Sequence, residues 1–200
     1  MINTIKPYGR WEKICGKGRI LPAFPGAGGC IEGGILDAQL LPRAIQPTTF
    51  GEIGGRKSSR EEALAYIFRK SHIPYQIVPE MHHWQISHLG VIIPLADAYY
   101  QSRHPEKICA NEKLMTLTAY RMKKNLKWIA QKGMLCPAKL YMIKDMPTGM
   151  LARVLSRVYQ SEFGNRFLYR HAMHAPEEFQ RLHQEFYNYM KTHTKESNKA

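Results

Sequence analysis

The stretch EMHHWQISHLGVIIPLADAYY, from Glu80 to Tyr100, decides how the rest of the chain is interpreted. It is long enough for about six helical turns. Apolar side chains fall on almost all of its faces, which is typical of a central, buried helix. Pro94 lies inside this helix and predicts a kink. The carboxylate of Asp97 must find a partner in these apolar surroundings, and we expect free backbone groups near the kink to bind it.

The segment that follows is strongly basic. Between Arg103 and Asp145 there are ten Lys and Arg residues and three Asp and Glu residues, in a chain of net charge +13. Helical spacing predicts a helix over Asn111–Lys132 with one apolar stripe. The stripe is formed by Met115, Ala119, Met122, Leu126 and Ile129. The opposite, solvated face carries Lys113, Arg121, Lys124 and Lys127. No nucleic-acid motif accompanies this face, so we expect no specific nucleic-acid binding, and a basic nucleic-acid binder is only the third hypothesis.

Two further helices are predicted downstream, and no strand is predicted after Pro79. One covers Met150–Phe163, after a connection that contains Pro137 and Pro147. The other begins at Pro176, a residue that suits the first helical position. Its buried stripe consists of Phe179, Leu182, Phe186 and Met190. Residues 80–200 therefore form a helical domain.

The first part of the chain alternates between short elements instead. Ser58 and Ser59 precede Glu61 and Glu62 in a capping-box pattern, which predicts a helix that buries Ala63, Ile67 and Phe68. The other predicted elements are a helix at Gly9–Cys15, strands at Arg19–Phe24, Ile35–Leu41, Ala44–Ile53 and Ile73–Val78, and a glycine loop at Pro25–Gly29. This order indicates the end of an α/β domain over residues 1–79. The fold class is mixed α/β, mainly α.

Several kinds of site lack their motif. Gly26 and Gly28 are followed by Ile31 where a dinucleotide fingerprint needs its third glycine, and the downstream segment is strand-like. A tight glycine loop at the edge of a cleft remains the expectation.

No metal site is predicted, because the histidines lack metal-binding spacing. The four scattered cysteines are expected to be reduced and partly buried. No stretch suits a signal peptide or a membrane span, which favours a cytoplasmic protein.

Four segments in register resemble the ketopantoate reductase (2-dehydropantoate 2-reductase) family. They are FPGAGG (Phe24–Gly29), QPTTFGEIGGRKSSR (Gln46–Arg60), WQISHLGVIIPLADAYY (Trp84–Tyr100) and HAMHAPEEFQRLHQEF (His171–Phe186). The resemblance implies the end of a Rossmann-type domain followed by a helical domain like that of 6-phosphogluconate dehydrogenase relatives. It also implies NADPH-dependent reduction of 2-dehydropantoate, or a related 2-keto acid, to the 2-hydroxy acid, a step of pantothenate biosynthesis.

The resemblance also implies site residues. Asn3 corresponds to the asparagine that contacts substrate and nicotinamide, and Glu178 to the glutamate that engages the substrate hydroxyl. Gly26 and Gly28 are candidate substrate- or cofactor-binding residues for a different reason, because a tight glycine loop lets the backbone come close to a ligand. The family's general-acid lysine corresponds to Ile86 if Trp84 is aligned, or to Gln85 if Pro94 is aligned. His88, at helical spacing from Trp84, is the candidate replacement donor.

The resemblance implies that the chain starts late in the first domain, without the phosphate-binding turn. We therefore expect NADP binding to be weak and the isolated chain to be inactive. The apolar helix from Glu80 to Tyr100 is expected to leave surface uncovered and to favour a homodimer. The alternative function is a non-catalytic helical module for dimerisation or partner binding.

Overall fold

The computed structural model describes residues 4–197, except the side chains of Cys30, Glu32 and residues 195–197. The fold is mixed α/β and mainly helical, as the sequence predicts. Packing divides the chain into two compact units, Met1–Gln85 and Ile86–Ala200. The boundary lies inside one long helix, a few residues after the position at which the strand signals of the sequence stop.

From residue 4 onward, the first unit contains two helices, five strands and the start of the long helix. Its elements are α1 (Gly9–Cys15), β1 (Ala23–Phe24), β2 (Ala27–Glu32), β3 (Ile35–Leu40), β4 (Thr48–Phe50), α2 (Ser59–Lys70), β5 (Tyr75–Ile77) and the first turns of α3 (Met81–Gln101). One sheet has the order β1-β4-β5, with β1 antiparallel and β5 parallel to β4. The connection from β4 through α2 to β5 is therefore a βαβ unit, in which a helix joins two parallel strands.

The second sheet corrects one expectation. Pro25–Gly29 was expected to be a loop, but Ala27, Gly28 and Gly29 begin β2, which pairs with β3 in an antiparallel hairpin. A Cβ atom at Gly29 would lie 2.2 Å from the backbone oxygen of Asp37. The glycines therefore let two backbones approach closely within a ladder, a use of glycine that composition does not distinguish from a loop.

The hairpin has one apolar face. Cross-strand pairs share a face, and three consecutive pairs on one side are entirely apolar. These are Ala27 with Leu40, Gly29 with Ala38, and Ile31 with Leu36. Ile31 is 72% exposed and Leu36 is 67% exposed. The apolar face of the hairpin is therefore largely open to solvent.

Helix α2 begins as predicted but buries a different face. The Ser58 side chain accepts a hydrogen bond from the Glu61 backbone N–H, which confirms the N-terminal cap. Ala63 and Ile67 are exposed, so the predicted buried face is wrong. Glu61 and Ala65 are the buried positions, and Phe68 contacts the rings of Phe50 and Tyr75. The helix is rotated from the expected orientation because packing on the sheet, not hydrophobicity alone, selects its inner side.

The described residues of the second unit form helices and the connections between them. After the remainder of α3 come a 3-10 turn (Pro105–Ala110), α4 (Glu112–Gln131), α5 (Lys139–Asp145), α6 (Thr148–Gln160), a π-helical turn (Gly164–Tyr169), α7 (Arg170–His174) and α8 (Pro176–Ser197). All five predicted stripe residues of α4 are buried, which confirms that stripe. Phe179, Leu182 and Phe186 of α8 are buried as predicted, whereas Met190 is only partly buried.

Four short elements in the described part of this unit were not predicted. They are the 3-10 turn, α5 within the proline-rich connection, and the π-helical turn with α7. Each has too few residues for a hydrophobic period to develop. The expected uncovered surface on the long helix is also not found. Among the described large apolar residues of α3, Tyr100 is exposed to solvent. Ile86, Leu89 and Ile93 of the same helix are fully buried.

Candidate functional site

A small cavity in the first unit is the candidate site. Its volume is about 190 Å³, below the roughly 300 Å³ at which pockets for drug-sized ligands begin. Most of the lining is apolar. The lining residues are Thr4, Tyr8, Trp11, Cys15, Ile20, Leu21, Pro22, Ala23 and Gln85. They come from α1, the segment that leads into β1, and the first turns of α3, so the cavity suits a small molecule with apolar substituents.

Two polar side chains meet in the wall of this cavity. The Tyr8 hydroxyl donates a hydrogen bond of 2.5 Å to Oε1 of Gln85, which is only 2% exposed. Burial, and then the charge of Glu80, raise the pKa of Tyr8 above its ordinary value. The phenol therefore stays protonated at physiological pH and can donate a hydrogen bond there. The His82 ring meets the Tyr8 ring edge-on at 6.2 Å between centroids.

One arginine holds the segment that forms another wall. The Arg60 guanidinium donates to the backbone oxygens of Gly18 (2.6 Å) and Ile20 (2.9 Å). It also makes two hydrogen bonds to the carboxylate of Glu52, of 2.6 and 2.5 Å. The Ser58 hydroxyl donates to the same carboxylate. These bonds hold the pKa of Glu52 below its ordinary value, although burial opposes them. Arg60 therefore fixes the wall at Ile20 to the start of α2.

We expect Arg60→Met to lower the free energy of unfolding at pH 7 by about 1–2 kcal/mol. The substitution leaves the buried Glu52 carboxylate without the cation that neutralises it. The same loss lowers the free energy of unfolding by a larger amount when both partners of an ion pair are fully buried. Arg60 itself is 38% exposed, so water compensates part of the loss. Urea unfolding of the variant and the natural chain measures the difference. A pKa lowered in the folded state contributes stability above the ordinary carboxyl pKa of 4.5, and this contribution is lost as the pH falls below it.

The difference between the two proteins should therefore shrink at about pH 3. Arg56→Met, which removes an exposed cation just before the same helix, is the matched control and should change stability little. An equal effect of the two substitutions, or a difference that does not depend on pH, would contradict the role of Arg60.

The predicted site residues of the first unit do not form a phosphate site. Asn3 lies outside the described residues. The Gly26 backbone N–H donates to Thr48 Oγ1 at 3.0 Å, and Gly28 pairs with Gln39 in the hairpin. The glycine run thus continues into strands rather than into a helix N-terminus, where phosphates bind. The described residues of the first unit therefore do not fit the phosphates of NADP.

His88 lies in the second unit and is partly buried. Desolvation, and then the proximity of His171, lower the pKa of His88 to about 3. The imidazole is therefore neutral at physiological pH. A neutral ring can donate a hydrogen bond but brings no positive charge to a developing alkoxide.

Glu178 lies in the first turn of α8, near Tyr100 of α3. Burial, and then the charges of Asp97 and Glu178, raise the pKa of Tyr100 to about 12. The Tyr100 hydroxyl donates to the backbone oxygen of Ala172. In this cluster Asp97 does not bind free backbone groups, so that expectation is wrong. Its carboxylate contacts Nδ1 of His183 at 2.9 and 3.0 Å.

Burial raises the pKa of Asp97, and the contact with His183 offsets part of the rise. The apolar surroundings of Asp97 signalled that a partner was needed, but they did not identify one on another helix.

The roles of Tyr8, Gln85 and Arg60 in the first unit were also not predicted from the sequence. Tyr8 and Arg60 carry no motif, and only the alignment on Pro94 drew attention to Gln85.

Among the described residues, no group of three or more His, Cys, Asp or Glu side chains could hold a metal ion. Cys109 and Cys136 are partly buried free thiols, as expected, whereas Cys15 is exposed. In the described part of the chain, none of the helices combines the length and the apolar character that crossing a membrane requires.

Comparisons with known proteins give no family. No protein-family model, no curated protein and no solved structure matches the chain.

Proposed function

We propose that this chain is a ketopantoate-reductase-like protein whose cavity beside Gln85 binds 2-dehydropantoate or a related small 2-keto acid. The reaction class is NADPH-dependent reduction to the 2-hydroxy acid, with the isolated chain itself inactive. In this proposal the first unit is the end of a Rossmann-type domain and the second a helical domain like that of 6-phosphogluconate dehydrogenase relatives. The parallel β4–α2–β5 unit and the all-helical second unit support that interpretation.

The observation that carries the proposal is the position of Gln85. The resemblance allows either Gln85 or Ile86 to replace the family's lysine. Gln85 lines the cavity and accepts the Tyr8 hydrogen bond, whereas Ile86 is an inaccessible core residue. The polar pair of Tyr8 and Gln85 therefore lies at the position where the resemblance places the family's lysine, the group that faces the keto oxygen.

The chain's own residues suggest how a keto acid would be held. The Tyr8 hydroxyl can turn from Gln85 to the keto oxygen and stabilise negative charge that develops there. The apolar wall formed by Ile20, Leu21 and Pro22 suits a branched aliphatic substituent. NADPH would supply the hydride, but the described residues of the first unit offer no cradle for its phosphates, so no step through the cofactor follows from this chain.

We expect Tyr8→Phe to weaken binding of 2-dehydropantoate about tenfold, which corresponds to the loss of one hydrogen bond. Isothermal titration calorimetry of the full chain without cofactor measures the affinity. Tyr66→Phe is the matched control, because it removes the same hydroxyl from an exposed tyrosine on α2 and should leave the affinity unchanged. A natural chain that does not bind the keto acid, or a Tyr8→Phe variant that binds it equally well, would rule out this site.

The alternative, a non-catalytic module for dimerisation or partner binding, is favoured by the hairpin. Its apolar face is open to solvent, and large exposed apolar patches usually mark association sites. A homodimer is one form of this proposal. The two functions differ in a simple observation: a module that only associates with partners should not bind 2-dehydropantoate in the calorimetric titration.

A further inference from the structure

A second, larger cavity lies in the second unit. It opens where α3 ends, continues along the 3-10 turn and reaches the first turn of α4. Its volume of about 810 Å³ falls within the range of roughly 300–1,000 Å³ that is usual for small-molecule sites. No Phe, Tyr or Trp side chain lines it among the described residues, so the large rings on which nucleic-acid bases usually stack are missing from this lining.

Three cations surround this cavity. Arg103, Lys107 and Lys113 all line it, and all three side chains are exposed. Within residues 4–197 they make no ion pair and no side-chain hydrogen bond. Three like charges around one concave surface repel each other, and an anion between them would relieve that repulsion.

The acidic residues nearby do not cancel this charge. Glu106 contacts Nδ1 of His104 at 3.4 Å. Glu112, in the first turn of α4, is the one carboxylate among the lining residues that the structure describes. The lining therefore has a net positive charge even with His104 neutral.

The cavity also offers a neutral donor. Asn111 caps α4 through its Oδ1 atom, which accepts a hydrogen bond from the Leu114 backbone N–H at 3.1 Å. Its amide Nδ2 group makes no described bond and can donate to a ligand oxygen. A guanidinium, two ammonium groups and an amide are a donor set that suits phosphoryl oxygens.

We propose that this cavity binds a small molecule that carries a diphosphate group. Arg103 would make paired hydrogen bonds to one phosphoryl group, while Lys107 and Lys113 neutralise the remaining charge. The volume exceeds what a single phosphate ion fills, which favours a diphosphate ester over orthophosphate. The concave lining, which lacks Phe, Tyr and Trp among the described residues, favours a small molecule over a nucleic-acid strand. The proposal concerns the second unit alone and does not rest on the proposed keto-acid site.

Inorganic pyrophosphate is the probe. Isothermal titration calorimetry of the full chain, at near-physiological ionic strength held constant with chloride, should show saturable binding with one site per chain. Arg103→Gln and Lys107→Gln should each weaken binding at least about fivefold, the effect of losing a charge-assisted contact. Lys124→Gln is the matched control, because it removes one exposed cation of α4 outside the cavity and should change the affinity less than about twofold.

Three results would overturn the proposal. Absence of saturable binding would exclude the site. If Lys124→Gln weakened binding as much as Arg103→Gln or Lys107→Gln, pyrophosphate would bind through the overall charge of the chain and not in this cavity. Displacement of pyrophosphate by a single-stranded oligonucleotide with higher affinity would assign the surface to nucleic acid instead. Circular dichroism of each variant excludes loss of fold as the cause of weaker binding.

Discussion

Gly26→Ala is expected to destabilise the chain by about 3 kcal/mol or more, because it forces a methyl group against rigid backbone. A Cβ atom at Gly26 would lie 2.3 Å from the Thr48 backbone nitrogen and 2.7 Å from the Gln46 backbone oxygen. Neither atom belongs to a flexible side chain, so the backbones themselves must separate. The bond from the Gly26 N–H to Thr48 Oγ1 and the bond from the Leu41 N–H to the Gly26 oxygen would both be strained.

Urea or thermal unfolding measures this effect. Gly9→Ala, at the first position of α1, is the matched control, because no atom lies within 4 Å of a Cβ built there. The control should be neutral or stabilising, since alanine is a better helix former than glycine by up to about 1 kcal/mol. If Gly26→Ala were as stable as the natural chain and only lost ligand binding, Gly26 would be a binding residue and its structural role would be refuted.

Stability is expected to fall by about 2–3 kcal/mol between pH 6.5 and about pH 4.5 through His88. The pKa of His88 is lowered from 6.5 to about 3 in the folded chain, mainly by desolvation. Below pH 6.5 the unfolded chain takes up a proton at this position that the folded chain does not. The stabilisation is therefore complete above pH 6.5 and is lost progressively as the pH falls toward 3.

Denaturant unfolding at several pH values, for the natural chain and for His88→Phe, isolates this contribution. Between pH 6.5 and 4.5 the variant should take up about one proton fewer on unfolding than the natural chain. Its free energy of unfolding should therefore fall less steeply as the pH is lowered. His72→Phe, at a turn beside α2, is the control for the loss of a histidine side chain outside the second unit. If stability fell equally steeply with pH in the natural chain and in His88→Phe, His88 would take up its proton in the folded chain as readily as in the unfolded chain, and the prediction would be wrong.

The elements that could be predicted are those whose signal is local. The stripe of α4 repeats over five turns, so burial of Met115, Met122 and Ile129 follows from helical geometry whatever the neighbours are. Ser58 and Pro176 mark helix starts through backbone hydrogen-bonding and φ preferences that are complete within one turn. The continuous apolar pattern from Glu80 to Tyr100 needed no partner to predict a buried helix.

The predictions that were wrong concern choices between partners. Glycines suit both a loop and a closely paired strand, and the ladder with Ile35–Leu40 decided between them at Gly28 and Gly29. The inner face of α2 was decided by the rings of Phe50 and Tyr75, which lie in separate strands.

The composition and periodicity of this sequence by themselves determined a mixed, mainly helical chain with strands confined to its first part. The tertiary structure decided which polar groups meet: Tyr8 with Gln85, Arg60 with Glu52, and Asp97 with His183. The physical reason is the range of the interactions. Helix propensity and burial patterns act over a few residues, whereas these hydrogen bonds join residues 8, 77 and 86 positions apart and depend on how whole elements pack.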